Sequence, residues 1–309
     1  MKRLFALATA FAVISCTKKE EATTTGPIVT TVGMISDVTR EIVGDKREVI
    51  NIIGEGTDPH VYKATKGDID QIQAASLVLF NGLLLEGKMG SILDGKKSAH
   101  PVAENLEGVE LIGGDDHADP HLWMDLSIWS KVAGRISEQV THLDPDNGDL
   151  YQERLAAYQQ NLTALHTYAQ MVLSSIPPDQ RVLVTAHDAF SYLGRAYGLE
   201  VRGIQGISTE SEAGLNEIED LVAYLVEKKI PSVFVESSVS DKSVQALIEG
   251  AAAQGHTVVI GGELYSDAMG PAGSYEGTYL GMMDHNITTI ARSLGGAPPE
   301  KGFQNKLTK

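Results

Sequence analysis

The sequence predicts an α/β protein of two lobes, each a four-stranded parallel sheet flanked by helices, joined by one long rigid helix. Three observations lead there. From residue 28 onward, short apolar runs alternate with helically periodic ones, the pattern of parallel strands covered on both faces. The alternation is interrupted once, by an unbroken helical pattern before the Pro177-Pro178 pair, and then restarts. With 309 residues the chain is long for one core and comfortable for two lobes.

The first residues read as a targeting segment rather than fold. Lys2-Arg3 is a basic start, and the apolar run over 4–14 is too short to span a bilayer. Val13-Ile14-Ser15-Cys16 then resembles a bacterial lipobox, in which Cys16 becomes the lipidated first residue of the mature chain; a signal with an incidental cysteine is the alternative. Residues 1–16 are thus expected to be a lipoprotein signal peptide and 17–27 a polar, flexible tether. Cys16 is the single cysteine, so a metal site in the folded part must use His, Asp or Glu. The net charge of −16 argues against a nucleic-acid partner.

Strands are expected over 28–32, 48–53, 77–80 and 109–112, and helices over 34–43, 66–75, 85–93 and 125–142. The last helix carries Trp129, Val132, Ile136 and Val140 at spacings of three and four. Asp144-Pro145-Asp146 stops it and caps the next. Leu150, Leu155, Tyr158, Leu162, Leu165, Ala169, Val172 and Leu173 then keep a helical spacing, which makes a rod of roughly 40 Å. That is longer than a small lobe needs, and it reads as a spine; an ordinary long surface helix is the alternative. The lobes are accordingly expected at 28–143 and 177–309, with the spine at 144–176. In the second lobe, strands are expected over 181–185, 200–204, 232–235 and 257–260, and helices over 188–197, 215–229, 243–254 and 278–294.

Two stretches repeat one pattern. Asp58-Pro59-His60-Val61-Tyr62 and Asp119-Pro120-His121-Leu122-Trp123 are both Asp-Pro-His-aliphatic-aromatic. Proline fixes its own φ and pushes its predecessor towards extended conformations, so each copy is a stiff bend holding a histidine at a set angle. Two unrelated turns is the bland alternative, and the repetition weighs against it. His60, His121, His187 and Asp267 each fall just beyond an expected strand end. Ligands of open α/β sheets bind outside the carboxyl ends of strands, so two facing lobes would bring all four into one cleft.

Several segments together carry a family likeness: Thr57 to Tyr62, Asp119 to Asp125, Thr185-Ala-His-Asp-Ala-Phe190, Phe234-Val-Glu-Ser-Ser238 and Leu264-Tyr-Ser-Asp-Ala-Met-Gly270. In order and separation, the chain resembles the metal-binding solute-binding lipoproteins of bacterial zinc/manganese ABC importers, the TroA-like family. The resemblance implies two α/β lobes, a rigid linking helix and one metal between the lobes, with ligands at His60, His121, His187 and Asp267. It implies delivery to an ABC permease and its ATPase by a monomer that is not an enzyme, held extracytoplasmically, periplasmic or at the cell surface, through a lipid on Cys16. Two departures point in opposite directions. Zinc-specific members often carry a long His- and acid-rich loop, shortened here to 113–119 with His117; many manganese-specific members have glutamate where His187 stands. A third departure is Asp125-Leu126, where a proline is common.

Three imidazoles and a carboxylate suit zinc first, in a tetrahedron, and manganese second, with a bidentate Asp267 raising the ligand count. Asp188 and Glu236 are candidates to accept the other N–H of a ligating imidazole. Asp58 and Asp119 read as turn formers. His100, His142, His166, His256 and His285 match no motif and read as solvated, and Met282-Met283 as core. Two other functions compete with metal capture. A zinc hydrolase needs an open position for water, and four protein ligands leave none. A surface adhesin, a role overlapping with this family, has no marked adhesive face here.

Overall fold

The computed structural model describes residues 25–114 and 118–308. Cys16 and His117 lie outside the described residues. The first lobe comprises β1 (Ile28–Thr30), α1 (Gly33–Val43), β2 (Val49–Asn51), α2 (Lys66–Ala74), β3 (Leu77–Phe80), α3 (Gly90–Asp94), β4 (Ala99–Pro101) and α4 (Leu126–Leu143). Its strands pair in parallel in the order β2-β1-β3-β4. The β1 strand, with neighbours on both sides, is wholly apolar or threonine and fully buried, as a central parallel strand should be. The Asp125 carboxylate accepts the Ser127 N–H at 2.8 Å and caps α4.

Two first-lobe expectations are corrected. Residues 109–112 form no strand; the fourth strand is Ala99–Pro101. The Ile112 N–H donates instead to the Tyr192 hydroxyl at 3.1 Å. An Ala-His-Pro strand is hard to read from sequence, because proline lacks a donor and is tolerated at the sheet edge that β4 occupies. His121 therefore follows a long loop rather than a strand end. The helix expected over 85–93 shrinks to Gly90–Asp94. Ahead of it, the buried Glu86 carboxylate accepts the Asn81 and Gly82 N–H groups at 2.7 and 3.2 Å. Leu83 and Leu84 follow with φ of 52° and 63°, so the chain turns before it can coil.

The long helix α5 (Gly148–Ser174) has 27 residues, about 40 Å of rise. It buries one face, including Tyr151, Tyr158, Leu162, Leu165 and Leu173. The second lobe comprises β5 (Val182–His187), α6 (Ser191–Tyr197), β6 (Glu200–Gln205), α7 (Leu215–Lys228), β7 (Ser232–Glu236), α8 (Lys242–Ala253), β8 (Val259–Leu264) and α9 (Tyr279–Ser293). Its four strands are hydrogen-bonded as two parallel pairs, β5-β6 and β7-β8, with β5 lying beside β7. At the carboxyl ends of this β5–β7 seam, the His187 N–H goes to the Glu236 side chain at 2.8 Å rather than to a backbone carbonyl.

The spine packs against α1 and α4 of the first lobe and against α6 and α9 of the second. One apolar core runs from the first lobe through α5 into α6 and α9, and a smaller one lies between the second lobe's strands and α7 and α8. Opening the lobes widely would expose part of that shared core, at about 25 cal/mol per Å² of apolar surface.

Candidate metal centre

The two Asp-Pro-His bends fold alike. Asp58 Oδ1 accepts the His60 N–H at 2.8 Å, and Asp119 Oδ1 accepts the His121 N–H at 2.9 Å. Each aspartate closes a turn over its proline and presents the histidine to the cleft. His187 ends β5, where its ladder partner is Gln205. Asp267 lies three residues beyond β8, on a loop fixed from two sides. The Asn286 side chain bonds both Tyr265 N and Tyr265 O, at 2.9 and 2.6 Å. From the other lobe, Trp123 Nε1 donates to the Ser266 carbonyl at 2.9 Å.

These elements bring His60, His121, His187 and Asp267 together, all buried, with one donor atom from each within 4.8 Å of the others. His60 Nε2 lies 3.3 Å from His121 Nε2. The Asp267 carboxylate is 3.3 Å from His121 Nε2, 3.2 Å from His187 Nε2 and 3.6 Å from His60 Nε2. A tetrahedron with metal–ligand distances of about 2.0–2.1 Å has edges of about 3.3 Å, so the spacing is that of a ligand set. Among the described residues, both Asp267 oxygens and His187 Nε2 are buried without a hydrogen-bond partner, which a folded protein tolerates where an ion supplies the missing interaction. Both oxygens face imidazoles, so the carboxylate can bind through one atom or two.

The far side of two imidazoles is held by carboxylates. Asp119 Oδ1 lies 2.7 Å from His121 Nδ1, and Glu236 Oε2 lies 2.5 Å from His187 Nδ1. Burial works against imidazolium at His121, yet Asp119 and Asp267 push it up to about 9. At His187 burial is likewise overcome, by Glu236 and then Asp267, which hold the imidazole well above its ordinary value. His60 goes the other way, pulled down by burial that Asp267 does not offset. Burial alone would raise the Asp267 carboxyl, but His187 and His121 hold it well below the usual carboxylate range. A metal cation bound here would therefore compete with protons for the same nitrogens.

Asp188, considered beside Glu236 from the sequence, instead accepts the hydroxyl of Ser191, the first residue of α6, at 2.7 Å. Asp119, which reads as a turn former, does that and also meets the imidazole; the repeated pattern gives no signal of the second contact, since Asp58 in the matching bend bonds the His60 N–H and Thr209 instead. Three histidines expected to be solvated have partners: His166 with the Tyr197 hydroxyl at 2.9 Å, His256 with the Ile230 carbonyl at 2.7 Å and His285 with the Glu263 carbonyl at 2.9 Å. Met282 and Met283 are core. Tyr192, which the sequence did not single out, pins the loop ahead of His121 by donating to the Asp119 carbonyl at 2.9 Å. A cleft lined by Arg40, Asn51, Glu55, Met269 and Asp267 itself reaches the site.

Comparison with known proteins agrees in sequence and in shape. The family model described as zinc-uptake complex component A, periplasmic, matches residues 28–293. The chain is 44% identical over 271 residues to the zinc-binding protein TroA of Treponema pallidum, covering 86% of this chain and 88% of that one. It is 43% identical over 272 residues to the manganese-binding lipoprotein MntA of Bacillus subtilis, covering 86% and 89%. The solved structure of the periplasmic zinc binding protein TroA from Treponema pallidum superposes with a TM-score of 0.84 at 42% identity, covering 87% of this chain and 99% of that chain.

Proposed function

The chain belongs to the family of periplasmic component A proteins of zinc-uptake complexes, and on that premise we propose that it captures one divalent transition metal outside the cytoplasm and delivers it to an ABC permease and its ATPase. The metal is cargo, held by His60, His121, His187 and Asp267. The observation that carries this reading is the convergence of three imidazoles and a carboxylate, buried, with unpartnered oxygens facing the centre. Zinc is the first choice, because three nitrogens and one oxygen fill a tetrahedron. Manganese is the second, because Asp267 has two oxygens to give and manganese favours a larger, oxygen-richer shell. Relatives named for each metal fit a site that accepts both.

Glu236 and Asp119 orient the imidazoles they touch and make them better ligands. We place the lobes at 28–143 and 177–309 and the spine at 144–176, and we assign the lipid anchor to Cys16, which tethers a monomer to the membrane surface. No helix among the described residues is long and apolar enough to cross a membrane. Because the lobes share a core along α5, loading and release proceed by modest lobe movements. Hydrolysis is disfavoured, because four protein donors leave no position for a reacting water.

The test is a competition titration of residues 17–309, stripped of metal, against a chromophoric chelator. One tight zinc site per chain, with manganese weaker and His187→Ala binding strongly impaired, is the expected result. Several weak sites insensitive to His187→Ala would refute the reading.

A further inference from the structure

The four donors are not held equally. His121 and His187 each have a buried carboxylate on Nδ1, and the Asp267 loop is tied by Asn286 and Trp123. His60 has no hydrogen bond on Nδ1 among those of the described residues, and its place is set by the Asp58 turn. Asp58 Oδ1 accepts the His60 N–H, while Asp58 Oδ2 accepts the Thr209 hydroxyl at 2.5 Å. Thr209 belongs to the opposite lobe. Its loop, 206–214, follows β6, and the last residue of β6, Gln205, is the ladder partner of His187. Gln205 also ties the loop back, donating to the Ser211 carbonyl at 3.2 Å. Beside the Thr209 contact, Lys88 and Glu210 pair across the cleft at 2.9 Å, but both are exposed and such a pair contributes little.

We propose that Thr209 is a positioning residue that latches the second lobe to the His60 turn, so that the lobe movement that breaks the Thr209–Asp58 bond also frees His60 and releases the metal. The proposal rests on the metal-capture reading and deepens it by naming the contact through which lobe position reaches a ligand. The opposite lobe thereby sets the place of His60, whose Nδ1 meets no carboxylate among the described residues. A bond from a hydroxyl to a carboxylate is among the stronger neutral-to-charged hydrogen bonds, so its loss is measurable in a release rate.

The experiment measures zinc release from residues 17–309 into excess chelator by stopped flow, with zinc stoichiometry determined for every variant. Thr209→Val removes the hydroxyl and keeps the shape; it is expected to release zinc roughly tenfold faster, still binding one zinc per chain. Thr209→Ser restores the donor and is expected to return the rate to that of the unaltered chain. In an Asp58→Ala background, Thr209→Val is expected to add no further acceleration. A Thr209→Val rate within twofold of the unaltered chain overturns the latch, as does equal acceleration by Thr209→Val and Thr209→Ser, which would mark a packing effect. An unaltered chain that fails to bind one zinc refutes the metal-capture reading itself, and the latch with it.

Discussion

Glu236 holds His187 twice: one carboxylate oxygen accepts the backbone N–H at 2.8 Å and the other meets Nδ1 at 2.5 Å. Backbone and ring are thus fixed by one side chain on the neighbouring strand. Asp119 does the same for His121 with a single oxygen. Glu236→Ala should therefore weaken zinc binding by roughly 10–100-fold while leaving all four donors in the chain. Competition titration measures this, and a change below twofold would mean that the carboxylate serves the strand seam rather than the imidazole.

Metal binding should also be driven by alkaline pH. His121 is raised to about 9 and His187 is raised well above its ordinary value, so both nitrogens carry protons at neutral pH that a metal must displace. His60 is shifted down and contributes little to this. Between pH 6 and 8 the apparent zinc affinity should rise by about tenfold per pH unit for each proton released. Calorimetry in buffers of different ionisation enthalpy counts these protons; between one and two are expected.

Away from the candidate site, Asp37 links the lobes by accepting the Tyr279 N–H at 3.0 Å, at the start of α9. Burial raises its carboxyl from 3.8 to about 6, against that hydrogen bond. The folded state therefore holds a proton more tightly than the unfolded chain. The stabilising contribution is complete below about pH 4 and is lost as pH rises through 6. Asp37→Asn keeps an oxygen for Tyr279 without the buried charge. It should stabilise the protein by about 1–2 kcal/mol at pH 7.5 and give no gain at pH 4. Thermal melts at the two pH values compare these.

The shared core makes a prediction about cooperativity. Leu165 is fully buried on α5, in the apolar cluster common to both lobes. Leu165→Ala should cost about 2–5 kcal/mol. Calorimetry should show one transition moving down rather than a second one splitting off, because neither lobe keeps its core without the spine.

Much of the fold and the site is legible in the sequence where chemistry is local. Proline and aspartate make the two bends readable, because each acts on its immediate neighbours. The spine is readable because a period of 3.6 sustained over 27 residues fits a helix and little else. The rest is hidden where one group serves two ends. Asp119 closes a turn and also meets an imidazole, and a sequence displays the first role alone. Leu85, Met89, Ile92 and Leu93 keep a helical spacing, but Glu86 captures the Asn81 and Gly82 N–H groups ahead of them and turns the chain aside. The fourth strand, Ala99–Pro101, has neither length nor β-branched residues to announce it. Contacts across the cleft, such as Trp123 on Ser266 and Thr209 on Asp58, join residues 143 and 151 positions apart, which no local pattern encodes.

The most direct test of the ligand set is a zinc-edge anomalous difference map from crystals of the chain loaded with one equivalent of zinc. A single strong peak about 2.0–2.2 Å from Nε2 of His60, His121 and His187 and from the Asp267 carboxylate is the result predicted. A dominant peak at surface carboxylates, with the four buried donors clear of it, would contradict it.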